Sequence, residues 1–115
     1  MIQQESLASV IDDIVTAAKK LPAGFCESHI GKELPGTKGW SLYVCVQEDG
    51  TPIVIWEKRR NCDSYCESLW LTHFNIMPEI KIKQFIKKEA ATIALIKAAP
   101  DLIEWIENVA RDYMI

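Results

Sequence analysis

The sequence lacks a long apolar run, a basic surplus and an export signal. Its apolar stretches fall well short of the roughly 18 to 20 residues that cross a bilayer, and residues 1–13 carry acids where a signal peptide needs bases and an apolar segment. With 13 basic against 16 acidic side chains, the net charge of -3 gives no overall electrostatic basis for binding nucleic acid. We therefore expect a soluble, cytoplasmic protein with no membrane segment.

Internal repeats and low-complexity tracts are absent as well. A composition of 49% hydrophobic and 25% charged residues excludes a disordered acidic or basic tail. The length of 115 residues suits one domain around one core. We predict a single α+β domain over residues 1–115, with an N-terminal helix, a small antiparallel sheet built on a central hairpin, and a C-terminal helical pair.

Hydrophobic periodicity assigns the helices. Apolar residues recur at helical spacing over residues 7–20 and again over residues 79–98. Pro100 suits the first turn of a further helix over residues 100–113, where its missing N–H costs no hydrogen bond. The two C-terminal segments are predicted to form a pair with a very short link, or one kinked helix.

β-branched and aromatic residues predict a hairpin over residues 40–58, because Asp49-Gly50 supplies the positive φ of a tight turn. With these as the two turn residues, Val46 lies opposite Ile53. Both faces of such a hairpin are apolar, so we expect the second face to be covered by a helix, a loop or a partner chain. That second face consists of Tyr43, Cys45, Val54 and Trp56.

A further strand is predicted over residues 68–76, where apolar and polar residues alternate. A short helix through residues 64–71 is the alternative. A short strand over residues 25–30 is left open, because glycines and a proline follow it closely.

The four cysteines suit unligated thiols, since disulfides are rare in a reducing cytoplasm. Cys45 lies inside a strand pattern and is predicted to be a small core residue. The other three, with a histidine, give only a weak zinc pattern, because the segment CDSYC lacks the glycine of a zinc knuckle. We predict no metal and no cofactor. The alternative is a zinc site formed by Cys26, His29, Cys62 and Cys66.

The chain holds two histidines for proton transfer near neutral pH, and no flanking motif links either to a nucleophile. We predict no catalytic site and no enzymatic activity, and we place His73 at the edge of the core. The alternative is a thiol–imidazole dyad of Cys26 with His29, or of Cys62 or Cys66 with His73.

The charge is unevenly placed, with seven bases against four acids in residues 57–88 and two against five in residues 89–115. The basic segment suits an acidic partner or phosphate, although a solvated helix face is the commoner cause. Trp105 falls off the apolar line of its helix, so it is either an anchor for a homodimer or a host protein, or a packing residue. The candidate partner contacts are Trp105, Lys58, Arg59, Arg60, Lys87 and Lys88.

Residues 89–106 form a distinctive tail, EAATIALIKAAPDLIEWI. Over residues 94–102 it resembles the pattern A-x-L-I-x-A-A-P-(D/E)-L-L that closes small accessory proteins of bacteriophages and prophages, including the Ead-type proteins. Ile103 replaces the usual leucine, and Thr92 stands near a position that is often asparagine. The resemblance covers about a fifth of the chain. It implies a phage or prophage origin and a helical tail, and it transfers no binding residue.

Small phage accessory proteins of this kind act by occluding or remodelling host proteins. The resemblance therefore implies a non-enzymatic protein that binds a host protein in the host cytoplasm. Its specific form is the hypothesis that the protein inhibits a host defence system such as a CRISPR complex. The residues leave open a second class, a small zinc- or nucleic-acid-binding regulatory module that uses the basic segment and the cysteines.

Overall fold

The computed structural model describes residues 4–31, 34, 37, 39–59, 66–76 and 89–113. Its elements in chain order are helix α1 (Gln4–Ala18), strands β1 (Cys26–Ile30), β2 (Ser41–Val46), β3 (Pro52–Arg59) and β4 (Cys66–Trp70), a 3₁₀ helix (Leu71–Ile76) and helix α2 (Glu89–Tyr113). The strands form one antiparallel sheet in the order β1-β2-β3-β4. This arrangement confirms the predicted α+β class.

Helix α1 forms because its apolar residues share one face. Leu7, Ile11 and Ile14 are buried at helical spacing, and burial of that face drives the helix against the rest of the domain. The predicted range of 7–20 agrees with the observed helix to within a turn at each end.

Helix α2 runs without interruption through Pro100, so of the two predicted arrangements the structure has a single helix here and not a pair of helices that meets at the proline. Leu95, Leu102 and Ile106 are fully buried along one face on both sides of the proline, and this packing outweighs the local cost of the ring. Pro100 itself is exposed. The earlier part of the predicted helical pair, residues 79–88, lies outside the described residues.

The hairpin is confirmed, but its register differs by one residue from the predicted one. Val46 pairs with Pro52, and its predicted partner Ile53 pairs with Cys45. Because side chains alternate along a strand, this shift exchanges the residues of β3 between the two faces of the sheet. The predicted face of Tyr43, Cys45, Val54 and Trp56 is therefore not formed.

The turn explains the shift in register. Gln47 donates its N–H to the carbonyl of Thr51 at 2.9 Å, and Gly50 donates its N–H to the carbonyl of Gln47 at 2.9 Å. The loop between the paired ends thus contains three residues, 48–50, where the prediction has two. Gly50 closes it with a φ of 86°, as the glycine does in a turn followed by a β-bulge.

The predicted strand over residues 68–76 is correct only for its beginning. Strand β4 occupies Cys66–Trp70, which also contradicts the alternative helix there, and the chain then turns into the 3₁₀ helix. In a 3₁₀ helix residues three apart lie on the same side. Leu71 and Phe74 therefore both point into the core, where they are buried, instead of alternating as in a strand.

One face of the sheet, the inner face, packs against both helices. At its centre Trp56 is fully buried, stacks on Trp40 with ring centroids 6.0 Å apart, and donates its indole N–H to the carbonyl of Ala91 in α2 at 3.1 Å. Helix α1 contacts both β3 and α2. The buried residues of the inner face are Leu42, Val44, Val46, Val54, Trp56 and Leu69. In the described part of the chain, no helix has both the length and the apolarity to cross a membrane.

Candidate functional site

The opposite face of the sheet carries two cross-strand rows of apolar and sulfur-bearing side chains. In one row Cys26 pairs with Cys45 and Cys45 with Ile53. In the other row Tyr43 pairs with Ile55 and Ile55 with Trp70. We call this surface the open face; it consists of Cys26, Tyr43, Cys45, Ile53, Ile55 and Trp70.

The open face is partly accessible to water, although Ser41 and Glu57, in the next cross-strand row on the same side of the sheet, are buried. Trp70 exposes 41% of its surface and Cys26 is exposed, while the other four residues are half-buried. The two described helices pack on the inner face instead, as the contact between Trp56 and α2 establishes. Of the coverings expected for the second face, which were a helix, a loop or a partner chain, neither α1 nor α2 is the one that lies on the open face. Apolar surface that remains exposed in this way is typical of a binding site.

Trp70 also contacts the element that follows it. Its ring stacks on the imidazole of His73, with centroids 5.2 Å apart and an angle of 13° between the planes. His73 is exposed in the 3₁₀ helix, so its predicted place at the edge of the core is wrong. The stack holds Trp70 in a defined position at one end of the open face, which lowers the entropy that binding would cost.

At the other end of the open face, two thiols and a phenol form a cluster. The Cys26 thiol and the Tyr43 hydroxyl are hydrogen-bonded, with 3.3 Å between Sγ and Oη. The hydrogen bond to Cys26, followed by one to Cys45 and by burial, raises the pKa of the Tyr43 phenol. Cys45 is half-buried on this outer surface and free, so the prediction of a core cysteine is wrong.

The residues predicted as partner contacts do not form one described surface. Trp105 is 36% exposed on α2, in the helical layer on the far side of the sheet from Trp70. Lys58 is half-buried, and its Cε lies 3.6 Å from the point that a Cβ on Gly39 would occupy. The side chain of Arg59, together with Arg60, Lys87 and Lys88, lies outside the described residues.

The members of the alternative zinc set are spread across the sheet. Cys26 and His29 belong to edge strand β1, whereas Cys66 begins the opposite edge strand β4. Three strand spacings separate the two edges by roughly 14 Å, while two sulfur ligands of one zinc ion lie roughly 4 Å apart. One ion therefore does not bind Cys26 and Cys66 together. The described residues contain no group of three or more His, Cys, Asp or Glu side chains placed to hold a metal; Cys62 lies outside them.

A cleft of about 280 Å³ lies beside α1, between the end of the hairpin and the 3₁₀ helix. It is slightly smaller than the clefts that usually bind small organic ligands, which start at roughly 300 Å³. Asp12, Lys19 and His73 carry its titratable groups, and they extend from separate elements. The lining residues are Ile11, Asp12, Val15, Lys19, Thr51, Pro52, Leu71, Thr72 and His73.

The sequence did not reveal the open face because the hairpin register determines which residues share it. The shift by one residue places Ile53 and Ile55 beside Tyr43 and Cys45, in the positions where the prediction has Val54 and Trp56. The correct register follows when Asp49-Gly50 is taken as the end of a three-residue loop over residues 48–50. No protein-family model, curated protein or solved structure matches this chain.

Proposed function

We propose that this protein is a non-enzymatic binding protein that docks a second protein on the open face of its sheet. One observation supports the proposal above all others. Trp70 is 41% exposed, and it ends a cross-strand row whose other members, Ile55 and Tyr43, are partly exposed. Tryptophan and tyrosine are the residue types that most often supply the binding energy at the centre of protein interfaces.

The composition of the open face fits the centre of an interface. A stable complex buries roughly 800 Å² on each partner, with an apolar centre and a polar rim. Six side chains supply such a centre, and the exposed Ser68 beside Trp70 belongs to its polar surroundings. The six residues lie on strands and not on loops, so no loop has to be ordered for them to form a complex.

The proposed partner is a host protein. The resemblance of residues 94–102 to the tail of phage and prophage accessory proteins supports this choice, since such proteins act on proteins of the host that the phage infects. In its specific form, the proposal is that the protein works in the host cytoplasm and inhibits a defence complex of the CRISPR type. Trp105 on α2 is a second exposed anchor, and a homodimer through α2 is the use that the sequence predicts for it.

The experiment uses the full-length protein as bait in a bacterial host lysate, with the recovered proteins identified by mass spectrometry. Trp70→Ala removes the anchor of the open face, and Trp105→Ala is the matched control because it removes a tryptophan of similar exposure from the helical layer. We expect the wild type and Trp105→Ala to recover the same partner and Trp70→Ala to lose it. Loss in Trp105→Ala alone would place the interface on α2 and contradict the assignment.

The defence hypothesis has its own test. A phage that carries this gene and a deletion derivative are plated on a host with an active CRISPR system directed against them, and on the same host without that system. We expect the deletion to reduce plating efficiency on the defended host only. Equal plating on both hosts would reject defence inhibition, while the binding experiment would still decide whether the open face docks a protein.

A further inference from the structure

Two cysteines face each other across neighbouring strands of the open face. Cys26 in β1 and Cys45 in β2 are direct partners in the antiparallel register. Both are free thiols; Cys26 is exposed and Cys45 is half-buried. They are separated by 19 positions in the sequence, so only the fold brings them together.

The hydrogen bonds around this pair identify its type. Val46 donates its N–H to the carbonyl of Phe25 at 2.7 Å and accepts the N–H of Gly24 at 2.8 Å. Hydrogen-bonded and non-hydrogen-bonded pairs alternate along an antiparallel ladder, so the next pair, Cys26 with Cys45, is non-hydrogen-bonded. The pairing of β2 with β3 leads to the same assignment. Gln47 donates its backbone N–H to the carbonyl of Thr51 in the β3 direction, and every second residue of a strand bonds to the same neighbouring strand. The backbone groups of Cys45 therefore bond to β3 and not to β1.

This geometry suits a covalent link. In a non-hydrogen-bonded pair the Cα atoms lie roughly 4.5 Å apart, within the range of roughly 4.4 to 6.8 Å that a disulfide spans. The Cys26 sulfur is hydrogen-bonded to the Tyr43 hydroxyl, and rotation about the Cα–Cβ bond of Cys26 is the motion that redirects this sulfur.

We propose that Cys26 and Cys45 are a reversible oxidation site, which forms a cross-strand disulfide on the open face by exchange with a low-molecular-weight disulfide of the glutathione type. The pair is placed by the sheet register and is accessible to a small reagent from the solvent. The proposal concerns these two thiols alone, so it holds whether or not the open face binds a partner.

The exchange takes place in two displacements. The exposed thiolate of Cys26 attacks one sulfur of glutathione disulfide, forms a mixed disulfide and releases one glutathione thiolate. The thiolate of Cys45 then attacks the Cys26 sulfur and releases the second glutathione. The two protein thiols lose two electrons and two protons, and these convert one glutathione disulfide into two molecules of glutathione.

Tyr43 assists the first displacement from its place beside Cys26. Its hydroxyl oxygen lies 3.3 Å from the Cys26 sulfur, so the phenol is placed to donate a hydrogen bond to the Cys26 thiolate. The thiolate is the species that attacks a disulfide.

The experiment incubates the full-length protein in glutathione buffers of increasing disulfide content, blocks free thiols with N-ethylmaleimide and maps tryptic peptides without reduction. Cys26 falls in the peptide of residues 21–32 and Cys45 in the peptide of residues 39–58, while Cys62 and Cys66 share the peptide of residues 61–81. We expect the first two peptides to become linked as the disulfide fraction rises, and the link to be lost again when excess glutathione is restored.

Two comparisons make the result specific. In Cys45→Ser the link is lost, and we expect glutathione to remain attached to Cys26 because no second thiol displaces it. In urea the link falls severalfold, since only the folded sheet holds the two cysteines together. The proposal is overturned if the native wild type retains glutathione on Cys26 as Cys45→Ser does, or if linkage is as frequent in urea as in the native protein.

Discussion

The buried indole N–H of Trp56 donates to the backbone carbonyl of Ala91 at 3.1 Å, and this bond joins the sheet to helix α2 across 35 positions of sequence. Trp56 has no exposed surface, and its ring stacks on Trp40 at an angle of 13° between the planes. The contact fixes which face of β3 points inward, and therefore places Ile53 and Ile55 on the opposite face of the sheet.

Trp56→Phe tests this contact. Phenylalanine keeps a ring against Trp40 but removes the hydrogen bond to Ala91 and part of the buried volume. We expect the free energy of unfolding in urea to fall by about 2 to 3 kcal/mol. Trp70→Phe is the control, because the same change on the exposed side of the sheet should cost less than about 1 kcal/mol. Equal losses in both variants would contradict the inward orientation of Trp56.

The three-residue hairpin loop predicts the effect of Gly50→Ala. The residue has a φ of 86°, and nothing lies within 4 Å of an added Cβ, so the cost is that of the backbone conformation alone. We expect a loss of about 1 to 2 kcal/mol in urea unfolding, and a smaller loss for Gly50→Asn, since asparagine tolerates this conformation.

Gly31→Ala provides the comparison for that measurement. Its φ of 82° is similar, but an added Cβ would lie 2.7 Å from Cδ2 of Leu102. A substitution there combines the backbone cost with a clash against a fully buried side chain. It should therefore destabilise the protein more than Gly50→Ala; an equal or smaller effect would contradict the contact between Gly31 and α2.

Asp49 gives a pH dependence with a definite sign. Hydrogen bonds from Thr51, first from its backbone N–H at 2.9 Å, hold the pKa of the Asp49 carboxyl below its ordinary 3.8. A carboxyl whose pKa is lowered by folding stabilises the fold above its unfolded pKa, and this contribution is lost as the pH falls through the folded pKa. We expect wild type to exceed Asp49→Asn in stability above pH 3.8 and the two to converge in more acidic solution.

The side chain of Asp49 can be followed directly. Its carboxyl carbon shift in an NMR pH titration should have a midpoint below 3.8 in the wild type. The same midpoint should move up in part in Thr51→Ala, which removes the side-chain hydrogen bond and keeps the backbone one, and urea-unfolded protein supplies the reference. A native midpoint at or above the unfolded one would contradict the bond to Thr51.

Pro100→Ala tests whether α2 is continuous. Pro100 is exposed inside the helix and lacks the N–H that would bond to the carbonyl of Ile96. Alanine restores that bond, so we expect a gain of about 1 to 3 kcal/mol in urea unfolding. Lys97→Ala, an exposed position on the same helix, should change stability by less than about 0.5 kcal/mol. A destabilised Pro100→Ala protein would instead favour two helices that meet at the proline.

Local patterns in the sequence were sufficient to predict helix α1 and the central hairpin. The apolar periodicity of α1 and the Asp49-Gly50 turn signal both depend on neighbouring residues, so the helix and the hairpin could be predicted. The sequence left two arrangements open at Pro100, because the choice of one continuous helix depends on the burial of Leu95 and Leu102 on either side of the proline. Tertiary packing overrides local propensity in such cases.

The candidate site depended on information that the sequence does not show locally. Asp-Gly is compatible with both a two-residue and a three-residue loop, and the choice between them decides whether Trp56 or Ile55 faces the helices. The sequence does not show which strand pairs with β1, so it did not predict that Cys26 lies opposite Cys45. The residues of the open face are defined only by the register of β1 with β2 together with the register of β2 with β3.

Binding at the open face is tested most directly by the affinity for the partner that the wild-type bait recovers. Isothermal titration would compare the wild type, Trp70→Ala and Trp105→Ala, with circular dichroism to establish that all three are folded. We expect Trp70→Ala to raise Kd by at least about 30-fold, the effect of losing an interface anchor worth about 2 kcal/mol, and Trp105→Ala to change it less than about threefold. An unchanged Kd in Trp70→Ala, or a larger loss in Trp105→Ala, would contradict the open face as the binding site.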